Sequence, residues 1–164
     1  MGKGMAGIHS PKMQKDEWLT PPEILNKLGE FDLDPCHPIL APWPIATKFY
    51  SINDDGLNQN WSGRVWLNPP YGLAASLWLR KLADHGNGIA LIFARTETEM
   101  FFEHVWNKAS ALLFIKGRLF FHHVSGKRAA HNAGAPSVLI AYGAENAEIL
   151  KNCGIEGQYV ELRK

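Results

Sequence analysis

A run of apolar residues is followed directly by an asparagine, two prolines and a tyrosine. The segment reads VWLNPPYG over residues 65–72, so that Asn68, Pro69, Pro70 and Tyr71 follow a stretch typical of a buried strand. Proline has no backbone N–H and cannot continue a central strand, so the strand must end here. A residue that precedes proline is held out of the helical region, which keeps Asn68 and Pro69 extended. The tetrapeptide is therefore expected to present rigid groups at a strand end.

These residue types suit one kind of chemistry. The side-chain oxygen of Asn68 and the backbone oxygen of Pro69 can together accept both hydrogens of an exocyclic amine, and Tyr71 can stack on the aromatic ring that carries it. Two fixed acceptors draw the hydrogens out of the ring plane and favour a tetrahedral, more nucleophilic nitrogen, so no strong base is needed. The alternative is a proline-terminated strand and loop without chemistry.

The surrounding sequence predicts elements that would position this tetrapeptide. Helices are predicted in TPPEILNKLG, where Thr20 would cap the first turn, and in LAASLWLRKLADHG and TETEMFFEHVWNKA. Strands are predicted at FDLD, RVWL, GIALIFA, ALLFI, RLFFHH and SVLIAYG. Nearly all-apolar strands alternating with helices indicate an α/β fold, with a mostly parallel sheet covered on both faces and an antiparallel edge. Ligands bind such sheets beyond the carboxyl ends of the strands, where the tetrapeptide falls.

Composition limits the class of protein. The chain has 164 residues, of which 46% are hydrophobic and 20% charged, as expected for one globular domain over residues 16–164 behind a flexible tail at residues 1–15. No apolar run approaches the roughly 18 to 20 residues that span a bilayer, and the first residues lack the apolar core of a signal peptide, which predicts a cytoplasmic protein. Cys36 and Cys153 lack a disulfide or metal-ligand pattern and are predicted to be free thiols.

The net charge of +1 hides an uneven distribution. Residues 1–15 contain three lysines and no acid, and residues 116–136 contain two lysines and two arginines and no acid. Residues 16–60 contain eight carboxylates and two lysines. The basic segments suggest contact with nucleic acid, and the alternative is a pair of solvated loops.

The tetrapeptide and its neighbours resemble amino-methyltransferases that use S-adenosylmethionine, whose signature is a strand followed by Asn or Asp, Pro, Pro and an aromatic residue. More closely, the chain is similar to the phage-type DNA N6-adenine methyltransferase family. The resemblance covers roughly residues 16–143 and includes, in that family's order, DEWLTPPEI, FDLDPC, DDGLNQNWSGRVWLNPPYG, FIKGRLFF and APSVLIAYG. It implies a Rossmann-like methyltransferase fold, S-adenosylmethionine as cofactor, and site-specific methylation of a flipped-out adenine in double-stranded DNA, in the cytoplasm of a bacterial or phage-infected host cell.

The resemblance also implies cofactor contacts. Trp18, Thr20 and Pro21 would hold the methionine part of the cofactor. Asp34, at the acidic end of the first strand, would bind the cofactor's amino group or a ribose hydroxyl, and Asp55, 13 residues before Asn68, would contact its adenine ring. The alternatives are a solvated surface carboxylate for Asp34 and a turn cap for Asp54 or Asp55. The chain departs from the general methyltransferase pattern because it has no glycine between Gly29 and Gly56, where a glycine-rich loop is usual.

The DNA contacts are expected in the later basic segment. Arg118 would contact phosphate together with Lys127 and Arg128, and Phe120 or Phe121 would wall the base pocket unless both belong to the core. A chain of this length has no separate recognition domain, so residues 122–136 and the tail are the candidates for site choice. This segment contains three histidines, His122, His123 and His131. They lack companion ligands, so no metal site is predicted.

Other functions remain open from the residues alone. Another planar amine, such as cytosine N4, an RNA base or a protein glutamine, would suit the same acceptors. A DNA-binding module without activity is the non-enzymatic alternative, although binding alone would not require the intact tetrapeptide.

Overall fold

The computed structural model describes residues 18–123, 125–129 and 133–163. The predicted flexible tail at residues 1–15 and His131 lie outside these ranges. Strands in chain order are β1 (Trp18–Leu19), β2 (Phe31–Asp34), β3 (Ala46–Phe49), β4 (Val65–Leu67), β5 (Gly88–Phe93), β6 (Ala111–Ile115), β7 (His122–His123), β8 (Ser137–Tyr142) and β9 (Gly157–Glu161). Helices are α1 (Pro22–Asn26), α2 (Ala74–His85), α3 (Glu99–Phe101), which continues as a π-helical turn over Phe102–Trp106, and α4 (Ala144–Asn152).

Seven of these strands form one sheet in the order β3-β2-β4-β5-β8-β6-β9. The pairs from β3 to β5 are parallel, and the three remaining pairs are antiparallel. Five strands therefore run in one direction, and β8 and β9 run in the other. The predicted α/β architecture is confirmed, but the antiparallel strands are placed differently from the expected edge, because β8 is inserted between β5 and β6.

Helices cover both faces of the sheet. The apolar residues of α1 and α4, including Ile24 and Leu150, pack on one face around Trp66. The apolar residues of α2 and of the turn after α3, including Leu79 and Val105, pack on the other. Alternate residues of β4 and β5 serve the two faces, which explains why these strands are apolar throughout.

Two of the predicted features differ from the structure. Thr20 does not cap α1, which begins after Pro21 and has no side-chain cap. The predicted strand RLFFHH is reduced to β7, which pairs with β1 in a separate two-stranded sheet. The backbone of Leu119 and Phe121 is bonded to Ala133 and Ala129 instead. Residues 119–123 therefore fold back on residues 125–129 as a hairpin, which pairs with β1 and does not extend the main sheet.

Two further observations concern composition. Cys36 and Cys153 form no disulfide, as predicted. Within the described ranges, no helix combines the length and apolar character needed to cross a bilayer.

Candidate active site

The direction in which successive strands are added to the sheet reverses between β2 and β4. After β2 the chain moves to β3 on one side, and after β4 it moves to β5 on the other, although β2 and β4 are parallel neighbours. The loops that follow these two strands diverge and leave a crevice at the carboxyl edge, which is where ligands bind in open α/β sheets. Asp34 ends β2 and Asn68 directly follows β4, so two of the predicted site residues flank the crevice.

Asn68 is held by a residue that is distant in sequence. Its side-chain Nδ2 donates a hydrogen bond to Oγ1 of Thr20 at 3.3 Å. Thr20 has a relative exposure of 1%, and its position follows from the pairing of β1 with β7. Because the nitrogen of the carboxamide is directed to Thr20, the Oδ1 acceptor lies on the opposite side of the group. Gly72, with φ of 97°, adopts the left-handed conformation that lets the chain turn from the tetrapeptide into α2.

Tyr71 forms an aromatic stack with Phe93, the last residue of β5. The ring centroids are 4.8 Å apart and the planes are inclined by 6°. Arg95 lies above Phe93, with its guanidinium carbon 5.9 Å from the ring centroid. Tyr71 keeps a relative exposure of 40%, and burial of its hydroxyl raises its pKa to about 12. The phenol therefore stays protonated at neutral pH, which leaves the residue a stacking surface and excludes it as a base.

A cavity of about 860 Å³ opens beside the tetrapeptide on the β5 side. Its wall is mainly apolar, with Arg95 and Glu99 as its charged members. The lining residues come from the tetrapeptide loop, from α2, from the end of β5 and from the hairpin: Pro69, Pro70, Tyr71, Leu73, Ala75, Ile92, Phe93, Met100, Phe121, Ala129 and Ala133. A site of this size with aromatic walls and a few polar groups suits a planar organic ring.

Phe120 and Phe121, the two candidate wall residues of the base pocket, face different sides of the hairpin. Phe121 is 8% exposed and lines the cavity, whereas the ring of Phe120 lies under Arg128, whose guanidinium carbon is 4.0 Å from the ring centroid. Arg128 forms a backbone bridge with His122. The hairpin therefore turns Phe121 inward to the cavity and keeps Phe120 with a basic residue on the outside.

Asp34 is a buried carboxylate. Its relative exposure is 2%, its Oδ2 lies 2.8 Å from Nδ1 of His37, and its Oδ1 accepts from the backbone N–H of Cys36 at 3.3 Å. Burial raises the pKa of Asp34, and the hydrogen bond and charge of His37 oppose this rise. The alternative of a solvated surface carboxylate does not apply, since Asp34 also orders the turn that follows β2.

Asp55 lies on a turn that packs against the turn after β2. A Cβ atom on Gly56 would come within 2.2 Å of the backbone oxygen of Pro35, so glycine is required for this close approach. The capping role falls to Asp54, which accepts from the N–H and hydroxyl of Ser51. Asp55 is exposed, has φ of 53°, and accepts from the side chain of Asn58 at 2.7 Å.

The remaining predicted cofactor residues lie near Asn68. Pro21 is buried like Thr20. The backbone of Trp18 pairs with His123 in the small sheet. Thr20 and Asn68 are thus brought into contact, and Asp34 and Asp55 lie on two turns that touch. Asp34 and Asp55 are absent from the lining of the cavity beside Tyr71. The predicted site residues therefore divide into two groups on either side of Asn68.

The basic residues differ in their partners. Lys116 forms an exposed ion pair with Glu156 at 3.1 Å, and Arg118 donates to the backbone oxygen of Gly134 at 3.1 Å. Lys127, at the turn of the hairpin, is exposed. The hairpin therefore carries Lys127 and Arg128 outward, and Lys116 is already neutralised by a neighbouring strand end.

Sequence reasoning missed three residues at the cavity. Phe93 ends β5, the strand beside β4, and Arg95 follows it. Their place at the carboxyl end of a neighbouring parallel strand was the signal that could have found them. Leu73, two residues after Tyr71, lines the cavity and is 96% exposed. No sequence pattern distinguished it from the apolar residues of α2.

Comparison with known proteins identifies the family. The family model described as DNA N-6-adenine-methyltransferase (Dam) matches residues 7–152. A DNA N-6-adenine-methyltransferase of Escherichia phage T1 is 26% identical over 127 residues, which are 72% of this chain and 52% of that protein. The chain thus spans about half the length of this relative. No solved structure matches. Because the family model covers most of the chain, from the tail to the last residue of α4, the chain belongs to the DNA N-6-adenine-methyltransferase family.

Proposed function

We propose that this chain transfers the methyl group of S-adenosylmethionine to N6 of an adenine displaced from double-stranded DNA. The observation that carries the proposal is Asn68 at the end of β4, with its Nδ2 directed to Thr20 and an aromatic cavity beside it. Family membership supports the reaction class. The fold expected with it is a Rossmann-like methyltransferase fold, and the reversal between β2 and β4 supports this expectation.

The β2 side of Asn68 fits the cofactor by the chemistry of its acceptors. S-adenosylmethionine supplies an electrophilic methyl group, and its ribose hydroxyls and amino groups need hydrogen-bond acceptors. The exposed carboxylate of Asp55 offers such an acceptor. The buried carboxyl of Asp34, held by His37 and Cys36, orders the turn that follows β2 on this side of the crevice. We assign Trp18 and Pro21 to the same side because both flank Thr20.

The β5 side suits the adenine. Tyr71 offers its partly exposed ring for stacking, and Phe121 closes the cavity from the hairpin. Base stacking on an aromatic side chain contributes about 1–3 kcal/mol. An N6 amine inside a stacked base pair is out of reach of a residue at the end of β4, so the base must leave the duplex.

The protein's own part in the reaction follows from Asn68 and Pro69. Oδ1 of Asn68 and the backbone oxygen of Pro69 accept the two amine hydrogens. They would stabilise the positive charge that develops on N6 as it bonds to the methyl carbon, while the bond from that carbon to the cofactor's sulfur breaks and the sulfur keeps the electron pair. The amine then loses one proton to solvent. Tyr71, with a pKa of about 12, takes no part as a base.

Contacts to the DNA backbone are assigned to the hairpin. Lys127 and Arg128 extend from it, and Arg118 lies at its base. Arg95 adds a cation at the rim of the cavity. Phosphate contacts of this kind position a duplex without reading its sequence.

The proposal is tested by incubating the full chain with S-adenosylmethionine labelled in its methyl group and with duplex DNA, followed by digestion to nucleosides. We expect label in N6-methyl-2′-deoxyadenosine and none in methylated 2′-deoxycytidine. Label in N4-methylcytosine, or label incorporated only with RNA or protein added, would assign the site to another amine. Binding of DNA without any transfer would make the chain a DNA-binding module.

A further inference from the structure

We infer that Thr20 is a positioning residue that selects which end of the Asn68 carboxamide faces the target amine. The inference rests on the proposed function, because it assigns a task within the same site. Its basis is the hydrogen bond from Asn68 Nδ2 to Thr20 Oγ1 at 3.3 Å. Thr20 and Asn68 are separated by 48 residues, so the contact is a product of the fold.

A carboxamide has two unlike ends of similar shape. The oxygen accepts hydrogen bonds and the NH2 group donates them, and the torsion that exchanges the two ends is soft. With the oxygen toward an adenine amine, Asn68 stabilises the developing charge. With the nitrogen toward the amine, two donors would face each other and the acceptor would be absent. The reaction therefore needs one of two orientations that are sterically nearly equal.

Thr20 holds the nitrogen end of the Asn68 carboxamide. Its oxygen accepts from Nδ2 at 3.3 Å, so the Oδ1 end is directed away from Thr20. The side chain is 1% exposed, which leaves its hydroxyl little surface for direct contact with a bound molecule. Burial also makes the position rigid, because Leu19, which precedes it, is 1% exposed and is paired with His122. A buried hydroxyl fixed in this way acts on bound ligands through Asn68.

The inference assigns Thr20 a role other than direct binding of the methionine part of the cofactor. A residue that binds the cofactor changes cofactor affinity when it is replaced. A residue that orients Asn68 changes the rate of methyl transfer and leaves cofactor affinity intact. Such an orienting residue also has no effect on the rate when residue 68 has two equivalent ends.

The test is a double-mutant cycle between Thr20→Val and Asn68→Asp. Valine keeps the shape of threonine without the hydroxyl, and aspartate has two oxygens, so either end of it is an acceptor. Single-turnover methylation is measured with saturating S-adenosylmethionine and DNA, and cofactor affinity is measured by calorimetry. In the Asn68 background we expect Thr20→Val to lower the rate about fivefold to tenfold, as for removal of one hydrogen bond, at unchanged cofactor affinity. In the Asn68→Asp background we expect Thr20→Val to have no further effect on the rate.

Control variants separate this role from packing. Thr20→Ser keeps the hydroxyl and should restore the rate, and Thr20→Ala provides a second removal of the hydroxyl should valine impair folding. Equal decreases in the Asn68 and Asn68→Asp backgrounds would overturn the inference and make Thr20 a packing residue. A decrease in cofactor affinity would overturn it in favour of direct cofactor contact.

A measurement without catalysis keeps the inference separate from the proposed function. The side-chain NH2 resonances of Asn68 are assigned by their disappearance in Asn68→Asp. In the wild-type chain and in Thr20→Ser, we expect the two hydrogens to be well separated in chemical shift, since one of them is bonded to Thr20. The separation should shrink in Thr20→Val. Unchanged resonances in Thr20→Val would overturn the inference even if the chain methylates no substrate, whereas an inactive chain with the expected shifts would contradict only the proposed function.

Discussion

On the β2 side of Asn68, the carboxyl edge of the sheet carries the carboxylates of Asp34 and Asp55, whereas on the β5 side it carries the stacked rings of Tyr71 and Phe93. The two sides belong to the parallel strands that flank β4, and the loops after β2 and β4 diverge between them. The first side offers acceptors to hydroxyl and amino groups, and the second offers flat apolar walls. The difference indicates two ligands of unlike chemistry that meet at Asn68, so a change on one side should affect one ligand alone.

The largest effect is expected at the meeting point. Asn68→Ala should lower the single-turnover methylation rate by about 10²- to 10³-fold, as for the removal of one aligned electrostatic interaction. Affinities for S-adenosylmethionine and for DNA, measured by calorimetry and fluorescence anisotropy, should change little. A variant that keeps more than half of the wild-type rate would remove Asn68 from its assigned role.

A change at Tyr71 tests the β5 side. Tyr71→Ala should weaken productive DNA binding by about 10- to 100-fold, because it removes a base-stacking surface worth about 1–3 kcal/mol. Tyr71→Phe, which keeps the ring, is the matched control and should remain close to wild type. The Michaelis constant for a short duplex is the measurement. An equal increase of this constant in both variants would assign the effect to the hydroxyl.

Asp55 tests the β2 side. Asp55→Ala should weaken S-adenosylmethionine binding by about tenfold in calorimetry, the lower range for a hydrogen bond to a charged acceptor in an exposed position. Affinity for DNA should be unaltered. Unchanged cofactor affinity would restrict Asp55 to its bond with Asn58 and would leave the turn as a structural feature.

The buried carboxylate of the same side has a measurable effect on stability. Burial raises the pKa of Asp34 in the folded chain, so the folded state binds more protons than the unfolded state at pH values above the ordinary pKa of 3.8. Its contribution to the free energy of unfolding is fully present below that pH and is lost as pH rises through the raised pKa. The slope for one proton reaches at most about 1.4 kcal/mol per pH unit.

Denaturant titrations between about pH 4 and pH 7 would check this dependence. We expect Asp34→Asn to show a smaller decline in stability with rising pH than the wild-type chain. Asp55→Asn, which replaces an exposed carboxylate, should follow the wild-type curve. Parallel curves for Asp34→Asn and wild type would mean that His37 compensates the burial of Asp34 completely.

The smallest effect is expected outside both sides, on the hairpin. The double change Lys127→Ala with Arg128→Ala should weaken binding to all duplexes alike and reduce the slope of log affinity against log salt by about 0.9 for each phosphate that the variant no longer neutralises. Lys116→Ala is the matched control, since Lys116 is paired with Glu156 and should leave the slope unchanged. An altered site preference would show that the hairpin reads base edges.

Much of the central architecture could be predicted from the sequence. The apolar runs of β4, β5, β6 and β8 were recognised because a strand covered on both faces is apolar at every position. Strand β2 was recognised from FDLD, in which Phe31 and Leu33 are buried. Helix α2 was recognised by its periodicity and by Gly86, which ends it in a left-handed conformation. Helix α4 and strand β9 were not predicted. Strand β9 is half exposed, with the burial pattern of an edge strand, so its sequence lacks the apolar signal.

The local sequence determined the backbone conformation of the tetrapeptide Asn68–Tyr71. Two prolines end β4 and hold Asn68 extended whatever the surroundings, because the restriction arises within two or three residues of chain. The acidic residue that ends β2 was also predictable, since it depends on residue type and position in an element. The family resemblance implied roles for these residues, and the family model confirms the family itself.

Only the tertiary structure decided which partners these residues meet. The contact of Asn68 with Thr20 joins residues 48 positions apart, the stack of Tyr71 on Phe93 joins two neighbouring strands, and the burial of Asp34 depends on His37 and the turn after β2. The insertion of β8 between β5 and β6 likewise follows from strand pairing over long separations. Residue types and local conformation are properties of short segments, whereas orientation, stacking and desolvation come from packing between segments, so they depend on the whole fold.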